Sequence, residues 1–344
     1  MVKKILETYT RTFTLWVIVF GIVAFLWKDT PEHPNWFRVM GTFSFMQLFP
    51  QDFRSGMSPL LLKNLTMCLA PNTHFFALTM FGIGVALKPE DFKRILKSPL
   101  VIAIGSAAQF IIMPLGAWAL AKSFNLPPAL TAGLVLTGAA PGAMASNTMS
   151  YIANADAAYS ISLTTVSTLL CPLLTPLLTK ILAGSELPVS FWGLFLQIIM
   201  MVIIPLLLGF WIRHRFRRSI EKVLFIFPAI SATFIVFICS VVIAVNQDYL
   251  PKVTRSVLLV GLILNLYGMT AGYGVGSLFR METKRRRTLA IEIGMQNAGL
   301  GSKLALDNLG KEAALPAAIF VFICIITASL LSAWWQRTDL SATS

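Results

Sequence analysis

Ten apolar runs constrain this chain more than any other feature of its sequence. They cover about residues 12–27, 71–87, 99–121, 129–152, 157–183, 190–212, 223–244, 257–279, 288–308 and 313–335. A helix crosses a bilayer with about 20 apolar residues. The first two runs are shorter than the rest. All are continuous, whereas barrel strands would be short and alternating. Only 12% of the 344 residues are charged and 56% are hydrophobic, against roughly 25% charged in soluble domains. A soluble globular surface, a disordered chain and a coiled coil are excluded by these figures. The formal net charge of +13 does not point to nucleic acid, because a nucleic-acid binder of this charge would be hydrophilic. The expected class is an all-α polytopic membrane protein whose partner is the lipid bilayer.

The first run follows Lys3, Lys4 and Arg11 and superficially resembles a signal peptide. Lys28, Asp29, Thr30 and Pro31 follow it in place of a small-residue cleavage site, so it reads as an uncleaved first span. Ten spans put both termini on one side. Eighteen of the 28 basic residues then fall on that side, in clusters such as Arg213–Arg218 and Lys284–Arg287. Cytoplasmic loops carry the Lys/Arg excess, so both termini are expected in the cytoplasm. Residues 28–70 hold four prolines and the aromatic residues Trp36, Phe37, Phe43, Phe45, Phe49 and Phe53. They are too polar and interrupted to span. An amphipathic segment on the outer interface is expected there, with a lid over the substrate path as the alternative.

Ten spans divide into two sets of five, and inverted five-span repeats are a transporter device. The repeats would be residues 1–183, including the interfacial insert at about 28–70, and residues 184–344. Interrupted spans at corresponding positions are the sequence test, and the fourth and ninth spans pass it. The fourth reads LTGAAPGAMASNTMSYI, broken by Pro141 and Gly142. The ninth reads LAIEIGMQNAGLGSKLAL, with Gly294, Gly299 and Gly301 beside Glu292, Gln296 and Asn297. The preceding spans match too, with Gln109 in the third and Asn265 in the eighth. Small residues often serve only close packing, yet both breaks carry amide or hydroxyl side chains. Backbone freed at membrane depth must be buried in protein or line a cavity. Half-helix C-termini can then hold cations, and half-helix N-termini attract anions.

Fourteen of the 15 carboxylates lie in loops or near helix ends, and Glu292 alone sits within an apolar run. Snorkelling toward the interface is one reading of it. A bound cation that offsets the desolvation is the other. Asp307 has Lys303 four residues before it, a spacing that suits a structural ion pair. His33, His74 and His214 are dispersed, and HExxH, GxSxG and Cys/His metal spacings are absent. No enzyme is expected.

The chain resembles the bile acid:sodium symporter family, in particular its bacterial members, over roughly residues 10–335. The carriers are MFGIGVALKPEDF at 80–92, AQFIIMPLGAWAL at 108–120, PGAMASNTMSYIANADAAYSISLTTVSTLLCPLLTP at 141–176 and EIGMQNAGL at 292–300. The 28–70 segment is longer than in bacterial relatives, and PGAMASN stands where the family often has PGGTASN. The resemblance implies ten helices in two domains. A panel domain would hold spans 1, 2, 6 and 7. A core domain would hold the others, with broken spans 4 and 9 crossing at mid-membrane.

It also implies two sodium ions as coupling ions and no cofactor. By motif, the first sodium site would take Ser146, Asn147, Ser160, Thr164 and Glu292. The second would take Gln109, Glu292 and Gln296 with the backbone carbonyls of Ile293 and Met295. The substrate would meet Met144, Ala145, Asn297 and Ala298 between panel and core. Met144 replaces a threonine of relatives, so a hydroxyl contact is lost there. The function so implied is sodium-coupled import of an organic anion by alternating access. The anion would be a small carboxylate such as pantoate or a keto acid, or a bile-acid-like steroid acid. The protein would act as a monomer in the bacterial inner membrane. The rival readings are proton coupling on the same fold, an intramembrane enzyme and a channel.

Overall fold

The computed structural model describes residues 13–27, 34–42, 71–185 and 187–343. Lys3, Lys4, Arg11 and most of the 28–70 segment lie outside them. The described residues form helices α1 (Phe13–Leu26), α2 (Trp36–Thr42), α3 (Pro71–Ala86), α4 (Pro89–Lys97), α5 (Pro99–Ser123), α6 (Pro128–Gly138), α7 (Ala145–Ile152) and α8 (Ala157–Ala183). They continue with α9 (Phe191–Ile198), α10 (Ile204–Arg215), α11 (Arg217–Val223), α12 (Phe227–Val245), α13 (Leu250–Leu278), α14 (Thr283–Gly294), α15 (Ala298–Asn308) and α16 (Leu315–Thr343). No β-strand occurs among the described residues.

Six helical stretches are long and apolar enough to cross a membrane: Pro99–Ser123, Ala157–Ala183, Phe191–Arg215, Arg217–Val245, Leu250–Leu278 and Glu312–Asp339. The protein is a multi-pass membrane protein. The other four apolar runs fall short for two different reasons. Helices α1 and α3 have only 14 and 16 residues. The fourth and ninth runs are each split, into α6 with α7 and α14 with α15.

Local chemistry sets several helix starts. Pro71, Pro89, Pro99 and Pro128 each open a helix, where the missing N–H has no intrahelical partner to lose. The Asp156 carboxylate caps α8 by accepting the Tyr159 N–H at 3.0 Å. A π-helical turn, Ile199–Ile203, precedes Pro205, whose missing donor interrupts the regular ladder.

Contacts divide the chain into two compact units, Met1–Leu87 with Gln197–Gln247 and Lys88–Leu196 with Asp248–Ser344. In the first, α3 packs closely on α10. A Cβ at Gly84 would lie 1.9 Å from the Leu206 carbonyl oxygen, and one at Gly209 would lie 2.2 Å from that of Phe81. Glycine at both positions lets the two backbones touch, as small residues do between membrane helices. Phe75 and Phe76 pack on Phe234 of α12 with ring centroids 5.5 and 5.0 Å apart. Arg213 donates to the Val85 carbonyl at 2.5 Å and so satisfies the end of α3.

In the second unit, ion pairs hold the start of α14. The Arg287 guanidinium donates to both oxygens of Asp339 at 2.7 Å and lies 5.4 Å from the Trp335 ring. Arg285 reaches Asp156 at 3.3 Å. These contacts tie the beginning of α14 to the beginning of α8 and the end of α16, and they aim α14 into the unit's interior.

Candidate cation site at the crossing of two broken helices

Four residues, Ala139 to Ala140 and Ala143 to Met144, flank the Pro141-Gly142 break between α6 and α7. The second break, Met295–Asn297, is shorter. Breaking a helix frees backbone donors and acceptors that lipid cannot satisfy. Here the two breaks satisfy each other. The Ala143 N–H donates to the Met295 carbonyl at 3.0 Å, and the Asn297 N–H donates to the Pro141 carbonyl at 2.8 Å. Gly142 and Gln296 thereby pair as an isolated antiparallel bridge. The Gly142 N–H donates to Ser167 Oγ at 3.2 Å.

Gly294, Gly299 and Gly301 all fall in the middle of the ninth apolar run, and the structure gives them different places. Gly294 ends α14, whereas Gly299 and Gly301 lie inside α15. A Cβ at Gly301 would touch Ala317 at 3.4 Å, so this glycine sits at a packing contact with α16.

Glu292 is 2% exposed and faces the crossing. Its Oε2 accepts from Ser146 Oγ at 2.5 Å and Ser160 Oγ at 2.8 Å, and its Oε1 accepts from Thr164 Oγ1 at 2.5 Å. Thr164 Oγ1 also lies 3.3 Å from Asn147 Oδ1. Ser146 and Asn147 come from α7, Ser160 and Thr164 from one face of α8, and Glu292 from α14. All five residues expected at the first sodium site are therefore brought together. Among the described residues no ion pair involves Glu292. An ideal Cβ at Gly142 would lie 2.3 Å from Glu292 Oε1, so only glycine leaves room for the carboxylate.

These hydroxyls have second acceptors. Ser146 Oγ lies 2.6 Å from the Ala143 carbonyl, and Thr164 Oγ1 lies 3.0 Å from the Ser160 carbonyl. Each hydroxyl carries a single proton. Turning it to the carbonyl leaves an oxygen lone pair beside the carboxylate. The cluster can thus switch from donating to Glu292 to presenting oxygen ligands with it. Oxygen-only donors suit hard cations. No group of three or more His, Cys, Asp and Glu that could hold a metal ion exists among the described residues, so a transition-metal centre has no support.

The residues expected at the second sodium site form a chain. Gln109 Nε2 donates to Gln296 Oε1 at 2.7 Å, and Gln296 Nε2 donates to the Ile293 carbonyl at 2.9 Å. Gln109 Oε1 is buried without a hydrogen-bond partner. The Met295 carbonyl is engaged by the Ala143 N–H, and the hydrogen bonds of the Glu292 side chain go to the hydroxyl cluster.

Of the four residues expected to face substrate, Met144 and Asn297 precede the first turns of α7 and α15, and Ala145 and Ala298 begin them. Asn297 Oδ1 accepts the Leu300 N–H at 3.1 Å, so that oxygen caps α15.

Three supporting side chains received no role from the sequence. Ser167 holds the Gly142 N–H, Thr175 Oγ1 donates to the Ala139 carbonyl at 2.6 Å, and Asn265 Nδ2 donates to the Gly294 carbonyl at 2.9 Å. Asn265 left a signal in its position, which matches Gln109. Ser167 and Thr175 continue the hydroxyl-rich stretch SLTTVSTLLCPLLT of α8, and each satisfies a backbone group freed at the first break.

Comparisons with known proteins place the chain in a family. The model of the sodium bile acid symporter family matches residues 73–253. The chain is 33% identical over 337 residues to the "uncharacterized sodium-dependent transporter YocS" of Bacillus subtilis (strain 168), covering 98% of this chain and 94% of that protein. It is 32% identical over 262 residues to the "probable sodium/metabolite cotransporter BASS1, chloroplastic" of Arabidopsis thaliana, covering 76% of this chain and 65% of that protein. A rice protein, the "probable sodium/metabolite cotransporter BASS2, chloroplastic", is 28% identical over 341 residues, covering 99% of this chain and 74% of its own length. With its apolar helices and these relatives, the chain belongs to the sodium bile acid symporter family of sodium-dependent membrane transporters.

Proposed function

We propose that the protein is a secondary active transporter that imports an organic anion with sodium ions by alternating access. The observation that carries this reading is a buried carboxylate, Glu292, with no cationic partner among the described residues. Leaving a charge unpaired at membrane depth costs several kcal/mol, and a sodium ion among Glu292, Ser146, Asn147, Ser160 and Thr164 removes that penalty. The relatives named for sodium dependence or sodium/metabolite cotransport support the choice of ion.

A second sodium is assigned to Gln109, Gln296, Glu292 and the carbonyls of Ile293 and Met295. The unpartnered Gln109 Oε1 supports it. One carboxylate then faces two monovalent cations and leaves a positive charge beside the first turns of α7 and α15. That charge, with the helix N-termini, favours an anion at Met144, Ala145, Asn297 and Ala298. A carboxylate recognised by backbone N–H groups tolerates methionine at 144, so a small carboxylate such as pantoate or a keto acid fits the site, as does the carboxylate of a steroid acid.

The panel-and-core reading is supported by the contact division, which puts the described residues of the first, second and seventh spans and most of the sixth in one unit and the rest in the other. The basic loops support cytoplasmic termini in a bacterial inner membrane, and the protein is taken to act as a monomer.

Thermal unfolding of the purified protein with a panel of organic anions, in sodium or choline buffer, tests the proposal. Ligands that bind the folded state raise its apparent stability. The expected result is stabilisation by a carboxylate that requires sodium. Anion stabilisation that is equal in choline, with uptake driven by a pH gradient, would replace sodium by a proton.

A further inference from the structure

Gly294, the last residue of α14, stands between the two backbone carbonyls assigned to the second sodium. Three consecutive carbonyls are held there by three different groups. Gln296 Nε2 donates to the Ile293 carbonyl at 2.9 Å, Asn265 Nδ2 to that of Gly294 at 2.9 Å and the Ala143 N–H to that of Met295 at 3.0 Å. A carbonyl oxygen has two lone pairs, so the Ile293 and Met295 carbonyls can keep these bonds and still face a cation.

Glycine at 294 is dictated by α13. A Cβ there would lie 2.4 Å from Met269 Cγ, and a Cβ at Gly268 would lie 3.2 Å from the Ile293 carbonyl oxygen. Asn265, Gly268 and Met269 share one face of α13 at i, i+3 and i+4, and this face covers the end of α14. Glycine brings backbone freedom to the position. A helix end also leaves its last carbonyls without intrahelical partners. The Asn265 bond answers both: it satisfies the Gly294 carbonyl, and it restrains the peptide plane between Gly294 and Met295.

The other half of the Asn265 amide argues against a role in packing alone. The residue is 0% exposed, and its Oδ1 has no hydrogen-bond partner. A buried acceptor left unsatisfied is unfavourable, and an apolar residue of similar shape avoids the penalty. Gln109, its counterpart in the third apolar run, has the same arrangement. Its nitrogen engages this break through Gln296, and its oxygen is unpartnered.

We propose that Asn265 is a positioning residue for the second sodium ion. It fixes the Gly294 carbonyl, so that the flanking Ile293 and Met295 carbonyls keep their places as ligands. This role rests on the second-sodium reading given above.

Equilibrium binding of radiolabelled sodium to the purified full-length protein, with thermal unfolding in sodium-free buffer beside it, tests the role. Two saturable sites are expected in the unmodified protein. Asn265→Leu should weaken one of them roughly tenfold, the upper end for one lost neutral hydrogen bond. It should leave the other site unchanged and unfold at no lower temperature. In Gln109→Leu, where the same site is already weakened, adding Asn265→Leu should cause little further loss, because the two side chains act on one ion. Should Asn265→Leu not fold, the smaller Asn265→Ala should weaken the same site by a similar factor. A single saturable site in the unmodified protein would overturn the second-sodium reading and this role with it. Two sites whose affinities survive the substitution unchanged would overturn the role alone. So would a lowered unfolding temperature with both affinities intact, the signature of a purely structural side chain.

Discussion

Helices α14 and α15 are the two halves of one broken apolar run, and each buries a charged side chain. Glu292 is 2% exposed and Lys303 is fully buried. Their partners differ in kind. Lys303 Nζ donates to Asp307 Oδ2 at 2.5 Å, one turn along its own helix. Glu292 is surrounded by hydroxyls from two other helices and by no cation among the described residues. An ion pair within one helix travels with that helix and asks nothing of the solution. A carboxylate held only by hydroxyls stays short of one positive charge, and its stability depends on what the solution supplies. The comparison separates a charge that serves the fold from a charge that serves coupling.

Glu292→Gln strikes at the coupling charge. Sodium-dependent uptake in proteoliposomes should disappear, while the protein unfolds at no lower temperature in sodium-free buffer, because an isosteric amide removes an unpaired buried charge. Gly142→Ala should come close to it. The added methyl displaces Glu292 Oε1, so half-saturation by sodium should rise steeply in uptake assays, with some loss of thermal stability. Lys303→Met should do the reverse. It removes the buried Lys303 ammonium from the Asp307 carboxylate, which costs about 3 kcal/mol, the low end for a broken buried pair, since Asp307 is partly exposed. Chemical denaturation should show that loss, Lys303→Met with Asp307→Leu should recover most of it, and the sodium dependence of either variant should match the unmodified protein. Thr164→Val removes one ligand oxygen. A hydrogen bond to a charged group is worth about 1.5–3 kcal/mol, so sodium affinity should fall about tenfold or more by titration. Ser167→Ala, which frees the Gly142 N–H and removes a donor from the Thr164 carbonyl, should cost about 1 kcal/mol of stability and move sodium affinity least. A Lys303→Met protein that loses its sodium response would erase the distinction between the two charges.

Glu292 was conspicuous in the sequence as the one carboxylate within an apolar run, and the family resemblance implied its partners Ser146, Asn147, Ser160 and Thr164. Proline and glycine marked the first break, and Ser160 and Thr164 declared a shared helix face through their spacing. The mutual pairing of the two breaks was not legible, since it joins backbone groups of Pro141 and Ala143 to those of Asn297 and Met295 across more than 150 residues. Gly301 misled for a local reason: a glycine that admits a neighbouring helix and a glycine that ends one look alike in a string of letters. Lys303 and Asp307 showed their spacing but not their depth, because burial depends on which helices close over them. Helix α4 lies between two apolar runs and was too short and too charged to show in the sequence as a span.

Equilibrium binding of radiolabelled sodium to the purified protein and to Glu292→Gln, without any anion, tests the central claim most directly. Saturable binding that potassium does not displace is predicted for the unmodified protein, and its loss is predicted for Glu292→Gln. Equal saturable binding by both proteins would contradict the assignment of Glu292 as the residue that holds the coupling ion.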